Sequence, residues 1–264
     1  MSDLLPPLLA ALEGATRIAL RHYEKVAYEL KPDRSLVTRA DREVEEFLAI
    51  ELPQIVPGMF VGEESCGDPR AAEEARESEW VWAVDPIDGT TVFVDGIGTF
   101  TICIGLLRDG RPHAGVVAVP ALGKVYAAVR GEGAFYDGRP ATVLETPTEE
   151  NRATLYVSSK AHQEFAVRYP GKTRSLGSTA LHYLLVARGV AMGALSSGHI
   201  WDYAGAAAIL EEAGGTLLHL DASPVDWRSL MDGTRAWPPL LGAPRNLWQE
   251  VAATVEVVKR ERRG

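Results

Sequence analysis

Apolar residues recur at steps of three or four in the N-terminal part of the chain, which is the spacing of amphipathic helices. This pattern predicts a helix over residues 6–29 and a second helix that begins after Thr38, with Asp41 in its first turn. Threonine is a residue type that commonly caps the start of a helix. Continuous apolar runs then predict short buried strands at residues 59–61 and 80–84.

The apolar positions alternate in the following part of the chain, and alternation is typical of strands. Strands joined by Gly-containing turns are predicted at residues 100–107, 114–119, 124–129 and 134–136. Such an antiparallel meander argues against a simple doubly wound parallel sheet.

The C-terminal part mixes both periodicities. Strands are predicted at residues 153–157, 191–195, 216–220 and 239–242. Helices are predicted at residues 179–188, 202–213 and 247–259. Because the intervening stretch 142–152 is polar and contains Pro147, we expect an α/β protein of two halves, residues 1–145 and 146–264.

The composition of the chain excludes some classes of binding partner. The 264 residues are 46% hydrophobic, which is enough for a large core, and the formal net charge of -9 disfavours general binding to nucleic acid or to anionic membranes. Cys66 and Cys103 form no disulfide framework, no N-terminal signal is visible and no apolar run reaches membrane-spanning length. We therefore expect a cytoplasmic protein with no membrane partner.

Two carboxylates leave the strand predicted at residues 80–84, because Asp85 and Asp88 follow it directly. Pro86 stiffens the turn between them, and Gly89 lets the backbone approach a ligand closely. Hard divalent cations favour carboxylate and carbonyl oxygens in such an arrangement. The same residue types also form ordinary turns, so this segment alone leaves both interpretations open.

Three further acidic positions matter in combination with this segment: Asp41, the Glu63-Glu64 pair and Asp202. Taken singly, Asp41 is an ordinary first-turn acid, the Glu pair is solvated charge, and Asp202 caps a helix.

Together, the acidic segments resemble those of the inositol monophosphatase family. That family belongs to the Mg²⁺-dependent, lithium-sensitive phosphatases and is related to fructose-1,6-bisphosphatase. The resemblance spans nearly the whole chain and rests on residues 37–41, 61–65, 85–91, 201–205 and 211–215. It implies a layered αβαβα sandwich with the site between the halves, a small phosphorylated metabolite as substrate, and a homodimer.

The resemblance also implies which residues bind metal. Glu63, Asp85 and the carbonyl of Ile87 would hold one Mg²⁺, and Asp85, Asp88 and Asp202 would hold a second. A third, looser ion would lie near Glu63. Two such ions bind a phosphate dianion, lower the pKa of a bound water and stabilise the leaving oxygen, so no Lys or Arg clamp and no phosphoenzyme are needed.

Catalytic and substrate roles follow from the same resemblance. Thr90, hydrogen-bonded to Asp41, would help Glu63 to polarise the attacking water. The residues expected to contact the substrate are Asp88, Gly89, Thr90, Thr91, Ser178, Thr179, Leu195 and Asp202.

Substrate choice is where the chain departs from the family. Inositol phosphatases carry a Glu seven residues before the last Asp, a position that Leu195 occupies here, and residues 194–199 contain no acid. Val92 also replaces the usual Asn. Residues 158–162 and 175–179 are similar to the branch that acts on adenosine 3′,5′-bisphosphate. An inositol 1-phosphate-type substrate is the leading prediction, with adenosine 3′,5′-bisphosphate, histidinol phosphate and fructose 1,6-bisphosphate as alternatives.

Two other classes compete with this interpretation. Haloacid-dehalogenase phosphatases use an Asp-x-Asp-Gly-Thr motif whose first Asp is a nucleophile, but Pro86 occupies that position here. A regulatory scaffold that retains only the fold is disfavoured by the complete set of acids.

Overall fold

The computed structural model describes residues 3–24, 27–32, 35–149 and 153–259, without the side chains of residues 164–166 and 257–259. The helices are α1 Leu5–His22, α2 Arg39–Ile55, α3 Pro69–Glu77, α4 Thr90–Val94, α5 Ala161–Glu164, α6 Thr179–Ala187, α7 Ile200–Glu212 and α8 Trp248–Ala253. The N-terminal strands are β1 Tyr28–Leu30, β2 Leu36–Thr38, β3 Met59–Gly62, β4 Trp80–Asp88, β5 Thr101–Arg108, β6 Arg111–Val119, β7 Lys124–Val129, β8 Ala134–Tyr136 and β9 Arg139–Ala141. The later strands are β10 Thr154–Val157, β11 Phe165–Arg168, β12 Lys172–Arg174, β13 Gly193–Ser196, β14 Gly215–His219, β15 Leu240–Pro244 and β16 Glu256–Lys259.

Two large sheets organise the chain. The N-terminal sheet has seven strands in the order β3-β4-β5-β6-β7-β8-β9, with β3 and β4 parallel and every later pair antiparallel. The C-terminal sheet has five strands in the order β12-β10-β13-β15-β14. The predicted antiparallel meander is confirmed, and it runs from β4 to β9.

Three apolar clusters separate the layers. The outer face of the first sheet packs against α1 and α2, the space between the sheets is filled by α6 and α7, and the far face of the second sheet is covered by α8. The structure therefore has the predicted αβαβα layering. No helix within the described ranges is long and apolar enough to cross a membrane.

The helix predicted over residues 6–29 is too long. It ends at His22, and residues 28–30 form β1, which pairs with β2; residues 25–26 lie outside the described part. The helix predicted over 247–259 is also wrong in its second half, because β16 follows α8 and pairs with β11. Both errors arise because β-branched and aromatic residues at three- or four-residue spacing fit a strand equally well.

Helix α7 approaches the first sheet unusually closely. A Cβ atom at Gly105 on β5 would lie 2.5 Å from the backbone nitrogen of Gly205, and one at Gly115 on β6 would lie 2.1 Å from the Gly205 carbonyl oxygen. Only glycine fits at these contacts. This close packing brings the first turn of α7 next to the end of β4.

Candidate metal centre

A β-bulge in β4 orients the two carboxylates of the Asp-rich segment. Asp85 pairs with Cys103 and Asp88 pairs with Thr101, so the four residues 85–88 of β4 oppose the three residues 101–103 of β5. Residues three apart on a regular strand face opposite sides, whereas one inserted residue returns them to the same side. Both carboxylates therefore face α7, and Ile87 points into the opposite apolar cluster. The strand continues through this bulge instead of ending at residue 84 as predicted.

Asp202 completes the group from the first turn of α7. Its Oδ2 accepts a hydrogen bond of 2.6 Å from the backbone N–H of His199, the residue before the helix. One carboxylate oxygen from each of Asp85, Asp88 and Asp202 lies within 4.8 Å of the other two. Three acids from two distant parts of the chain thus converge as the resemblance implies.

The electrostatics of this group favour a bound cation. Burial raises the pKa of Asp85 well above its usual range, and the charges of Glu63, Asp88 and Asp202 raise it further. Burial also raises the pKa values of Asp88 and Asp202. Within the described residues, Oδ1 of Asp85 is buried without a hydrogen-bond partner. A buried carboxylate oxygen with no donor is costly, and a hard divalent cation would satisfy it.

Asp88 also contacts the C-terminal half. Its Oδ2 accepts hydrogen bonds from Ser178 Oγ at 2.5 Å, Ala180 N at 2.7 Å and Thr101 Oγ1 at 3.0 Å. Its Oδ1 accepts one hydrogen bond, of 2.9 Å, from Thr179 N. Because these amides begin α6, Asp88 stabilises the start of that helix and retains acceptor capacity on Oδ1.

The pair formed by Thr90 and Asp41 lies on the N-terminal side of the site. The Thr90 hydroxyl is 3.3 Å from Asp41 Oδ1 and 3.2 Å from the carbonyl oxygen of Ile87. Asp41 is fully buried and also accepts a hydrogen bond of 2.8 Å from Thr38 N in a capping box. Burial raises the pKa of Asp41 to about 6, although the Thr38 hydrogen bonds oppose the rise. The predicted hydrogen bond between Thr90 and Asp41 is present.

Gly89 connects β4 to α4 with a φ of 96°, a value that favours glycine. A Cβ atom at Gly89 would also lie 3.0 Å from the Gly177 carbonyl oxygen. Val92 has a structural explanation, because its methyl groups pack against Gly177, and an added Cβ there would lie 2.3 Å from Val92 Cγ1. Thr91 is exposed on the first turn of α4.

Glu63, the further acid expected to bind metal, forms a hydrogen-bonded ion pair with a lysine. Lys31 Nζ donates to Glu63 Oε1 at 2.9 Å and to Glu64 Oε1 at 2.6 Å. Burial raises the pKa of Glu64 to about 7 even though Lys31 opposes the rise. Glu63 is not in the group of acids whose oxygens lie within 4.8 Å of one another, although its negative charge raises the pKa of Asp85.

Glu45 on α2 is a polar residue of this region that the sequence patterns did not identify. Its side chain is buried, and its Oε2 accepts a hydrogen bond of 2.8 Å from Glu64 N. A Cβ atom at Gly62 would lie 2.4 Å from the Glu45 carboxyl carbon. The Glu45 carboxylate therefore packs directly against the backbone at the end of β3. The sequence does contain one sign of this residue, because Glu45 is a charged residue within the apolar stripe of α2.

Leu195 does not face the site. Its side chain is 1% exposed and packs in the apolar cluster between the C-terminal sheet and α8, so the expectation of a substrate contact there is wrong. Successive residues of a strand face opposite sides, which turns Ser196 toward the site layer. The Ser196 hydroxyl is hydrogen-bonded with Tyr183 and Tyr203.

The chain matches known proteins over most of its length. A profile described as the inositol monophosphatase family matches residues 3–256. A Mycobacterium tuberculosis protein described as a probable inositol 1-monophosphatase is 30% identical and aligns with 92% of this chain and 94% of its own. A 3′(2′),5′-bisphosphate nucleotidase of Aggregatibacter actinomycetemcomitans is also 30% identical, over 82% of this chain and 84% of its own. The solved structure of a Thermotoga maritima IMPase superposes with a TM-score of 0.79 at 24% identity, covering 96% of both chains, and supports the fold. The chain belongs to the inositol monophosphatase family.

Proposed function

We propose that this chain is a Mg²⁺-dependent phosphomonoesterase in which water attacks the phosphorus directly. The observation that carries the proposal is the convergence of Asp85, Asp88 and Asp202, together with the buried Oδ1 of Asp85, which has no hydrogen-bond partner within the described residues. Oxygen ligands in this number suit Mg²⁺, which usually keeps several waters and binds few carboxylates.

The metal would be held by these three carboxylates, with Glu63 and the Ile87 carbonyl as further ligands. Mg²⁺ bound there would supply positive charge for the phosphate dianion and lower the pKa of a bound water. Lys31 occupies Oε1 of Glu63 at 2.9 Å, so Glu63 would take part through its other carboxylate oxygen or after release from Lys31.

Thr90 and Asp41 would orient the attacking water. Because the single proton of the Thr90 hydroxyl is directed at Asp41 Oδ1 and the Ile87 carbonyl, its oxygen lone pairs remain able to accept a hydrogen bond from water. Asp41 has no exposed surface, so it acts by fixing the Thr90 hydroxyl instead of by contacting solvent. The amides of Gly89 and Thr90 would meet the substrate phosphate.

Inositol 1-phosphate is the leading substrate, because relatives of 30% identity or more are described as inositol monophosphatases. Adenosine 3′,5′-bisphosphate is the second candidate. It is favoured by the nucleotidase relative and by the absence of an acid in residues 194–199. Histidinol phosphate and fructose 1,6-bisphosphate remain alternatives without a specific supporting observation.

Other predictions belong to the same proposal. They are two or three ions per site, lithium inhibition, a homodimer, a cytoplasmic location and a division into halves at residue 145.

Phosphate release from inositol 1-phosphate and adenosine 3′,5′-bisphosphate, with and without Mg²⁺, tests the proposal. Asp85→Asn should abolish Mg²⁺-dependent release, whereas Asp109→Asn, on an exposed turn, should not. A scaffold would show no release although Mg²⁺ raises its melting temperature, and a trapped phosphoaspartate would instead support the haloacid-dehalogenase mechanism.

A further inference from the structure

The carboxylate of Glu45 packs against the turn that carries Glu63. Only 4% of Glu45 is exposed, and its side chain extends from α2 to the end of β3. Its Oε2 accepts a hydrogen bond of 2.8 Å from Glu64 N. Ser65 donates two more hydrogen bonds to the carboxylate, through its backbone N–H and its hydroxyl. Glu45 therefore binds both of the residues that follow Glu63.

The residue before Glu63 contacts the same carboxylate. A Cβ atom at Gly62 would lie 2.5 Å from Glu45 Oε2, so a larger residue would displace the carboxylate. Two backbone hydrogen bonds complete the turn, from Glu63 N to Val84 O at 3.2 Å and from Cys66 N to Gly62 O at 3.0 Å. The backbone on both sides of Glu63 is therefore held in place, and Glu45 contacts it on each side.

A carboxylate suits the donors that surround it here. The two backbone N–H groups and the hydroxyl all donate, and an ionised carboxylate accepts hydrogen bonds without donating any. Burial raises the pKa of Glu45, and the hydrogen bonds from Glu64 and Ser65 oppose the rise. Hydrogen bonds to an ionised group are about twice as strong as those between neutral groups. Glu45 as a carboxylate therefore holds the turn more firmly than a neutral side chain of the same length would.

The other attachment of this turn is less rigid. Lys31 Nζ binds Glu63 Oε1 at 2.9 Å and Glu64 Oε1 at 2.6 Å. An ammonium group on a flexible four-carbon stem does not define a direction sharply. The direction in which the Glu63 side chain leaves the backbone is set by the backbone itself, which Glu45 holds. Partners that orient a metal ligand typically change metal affinity about 10–100-fold when they are removed.

We propose that Glu45 is a positioning residue that directs Glu63 toward the metal centre through its hydrogen bonds with residues 64 and 65. This inference rests on the proposed phosphomonoesterase function, in which Glu63 is a metal ligand. Glu45 itself is outside the group of acids whose oxygens lie within 4.8 Å of one another, so it acts through Glu63 and not by binding the ion.

Isothermal titration with Mg²⁺ tests the inference without relying on catalysis. The proteins compared are the wild type, Glu45→Gln, Glu45→Asp, Glu63→Gln and the double variant that carries both Gln substitutions.

Glu212→Gln is the matched control. Its carboxylate also accepts hydrogen bonds from two backbone amides of a turn, Gly131 N at 3.0 Å and Gly133 N at 2.9 Å. Glu212 ends α7 and lies about 15 Å along that helix from Asp202, so the same type of support is removed far from the metal centre.

Glu45→Gln should raise the Mg²⁺ concentration needed for half-maximal binding about tenfold. Glu45→Asp should do the same, because aspartate keeps the charge but is one methylene too short to hold residues 64 and 65. The double variant should bind Mg²⁺ as Glu63→Gln does, since the effect of Glu45 passes through Glu63. Glu212→Gln should match the wild type.

Three results would overturn the inference and leave the proposed function standing, because the wild type would still bind Mg²⁺ and release phosphate. They are an unchanged Mg²⁺ affinity in Glu45→Gln, a wild-type affinity in Glu45→Asp, which would assign the effect to charge alone, and losses that add in the double variant. A wild type that neither binds Mg²⁺ nor releases phosphate would instead refute the phosphomonoesterase proposal, and this inference with it.

Ser65→Ala keeps the inference testable if Glu45→Gln does not fold. The position is exposed, and the substitution removes only the hydroxyl that donates to Glu45. Loss of this one hydrogen bond should weaken Mg²⁺ binding about two- to fivefold. An unchanged affinity in Ser65→Ala would then overturn the inference.

Discussion

The carboxylate of Asp88 accepts a hydrogen bond of 2.5 Å from the hydroxyl of Ser178, which lies 90 positions later in the chain. Asp88 therefore belongs to the proposed metal centre and also to the start of α6. Two backbone amides, of Thr179 and Ala180, donate to the same carboxylate. The metal ligands and the contact between the two halves of the chain are thus physically coupled.

This coupling predicts that Asp88→Asn does more than remove activity. The groups around the Asp88 carboxylate all donate hydrogen bonds, and the NH₂ group of asparagine is itself a donor. At least one hydrogen bond is therefore lost, and a buried donor is left unpaired. In chemical denaturation without metal, the lost hydrogen bonds should lower the free energy of unfolding by about 1–3 kcal/mol. Removal of a buried charge whose pKa is raised by burial and by Asp202 offsets part of this loss. Ser178→Ala, which keeps the charge, should cost about 1 kcal/mol. A wild-type unfolding curve for Asp88→Asn would show that Asp88 does not support α6.

Asp85→Asn should have the opposite effect on the metal-free protein. Burial and neighbouring carboxylates raise the pKa of Asp85, so above about pH 4 the folded state holds more protons than the unfolded state. The free energy of unfolding consequently falls as pH rises. The variant should melt higher than the wild type at about pH 8 without Mg²⁺, and the difference should shrink toward pH 4.

Added Mg²⁺ should make the wild type melt at a higher temperature than Asp85→Asn. The wild type should gain stability from the ion, and Asp85→Asn should gain little because it lacks the charged ligand. Melting curves at several pH values with and without Mg²⁺ check both statements. An Asp85→Asn protein that is less stable than the wild type in the absence of metal would contradict the assignment of Asp85 as an uncompensated charge.

Lys31 should compete with the cation at Glu63. Its ammonium bonds to both Glu63 and Glu64, so a metal ion bound by Glu63 would lie next to a fixed positive charge that repels it. Lys31→Met should lower the Mg²⁺ concentration needed for half-maximal binding about fivefold, the equivalent of 1 kcal/mol for a partly exposed pair. Isothermal titration measures this change.

Lys124→Met is the matched control, since Lys124 pairs with Asp137 on an exposed hairpin. An unchanged or weaker Mg²⁺ affinity for Lys31→Met, with Lys124→Met equal to the wild type, would show that Lys31 assists the site instead of competing for it.

His182 should make the fold sensitive to acid. Its Nε2 accepts a hydrogen bond of 2.9 Å from Leu176 N, and burial lowers its pKa to about 4. The unfolded state therefore binds a proton near pH 6.5 that the folded state rejects until about pH 4. This contribution to stability is complete above pH 6.5 and is lost as pH falls through that window. At pH 5 the loss is about 2 kcal/mol.

Comparison with His182→Gln isolates this effect, because glutamine retains an acceptor but does not titrate. Denaturant unfolding at pH 7 and pH 5 should show a loss of stability in the wild type larger by about 2 kcal/mol than in the variant. Parallel changes in the two proteins would exclude His182 as the cause.

The acidic residues of the site could be predicted from the sequence because the segments that carry them resemble those of the inositol monophosphatase family. Hydrophobic periodicity alone only placed these acids at the ends of elements. Asp41 follows a capping Thr38 and Asp202 opens an apolar helix, and both positions are as expected. The bulge that turns Asp85 and Asp88 to one side could not be predicted, because it depends on pairing with β5.

Other features of the site also depend on contacts distant in sequence. Glu45 is identified only from the packing of α2 against Gly62, where its carboxylate fills the space that a Cβ atom would need. Leu195 was misassigned because counting back from Asp202 along the sequence ignores that alternate residues of β13 face opposite sides.

The most direct test of the metal centre is anomalous diffraction from crystals soaked in Mn²⁺, which replaces Mg²⁺ at oxygen sites and scatters strongly. A peak within about 2.5 Å of carboxylate oxygens from Asp85, Asp88 and Asp202 together is the predicted result. Anomalous density that is absent there, or that appears only at other surface carboxylates, would contradict the account.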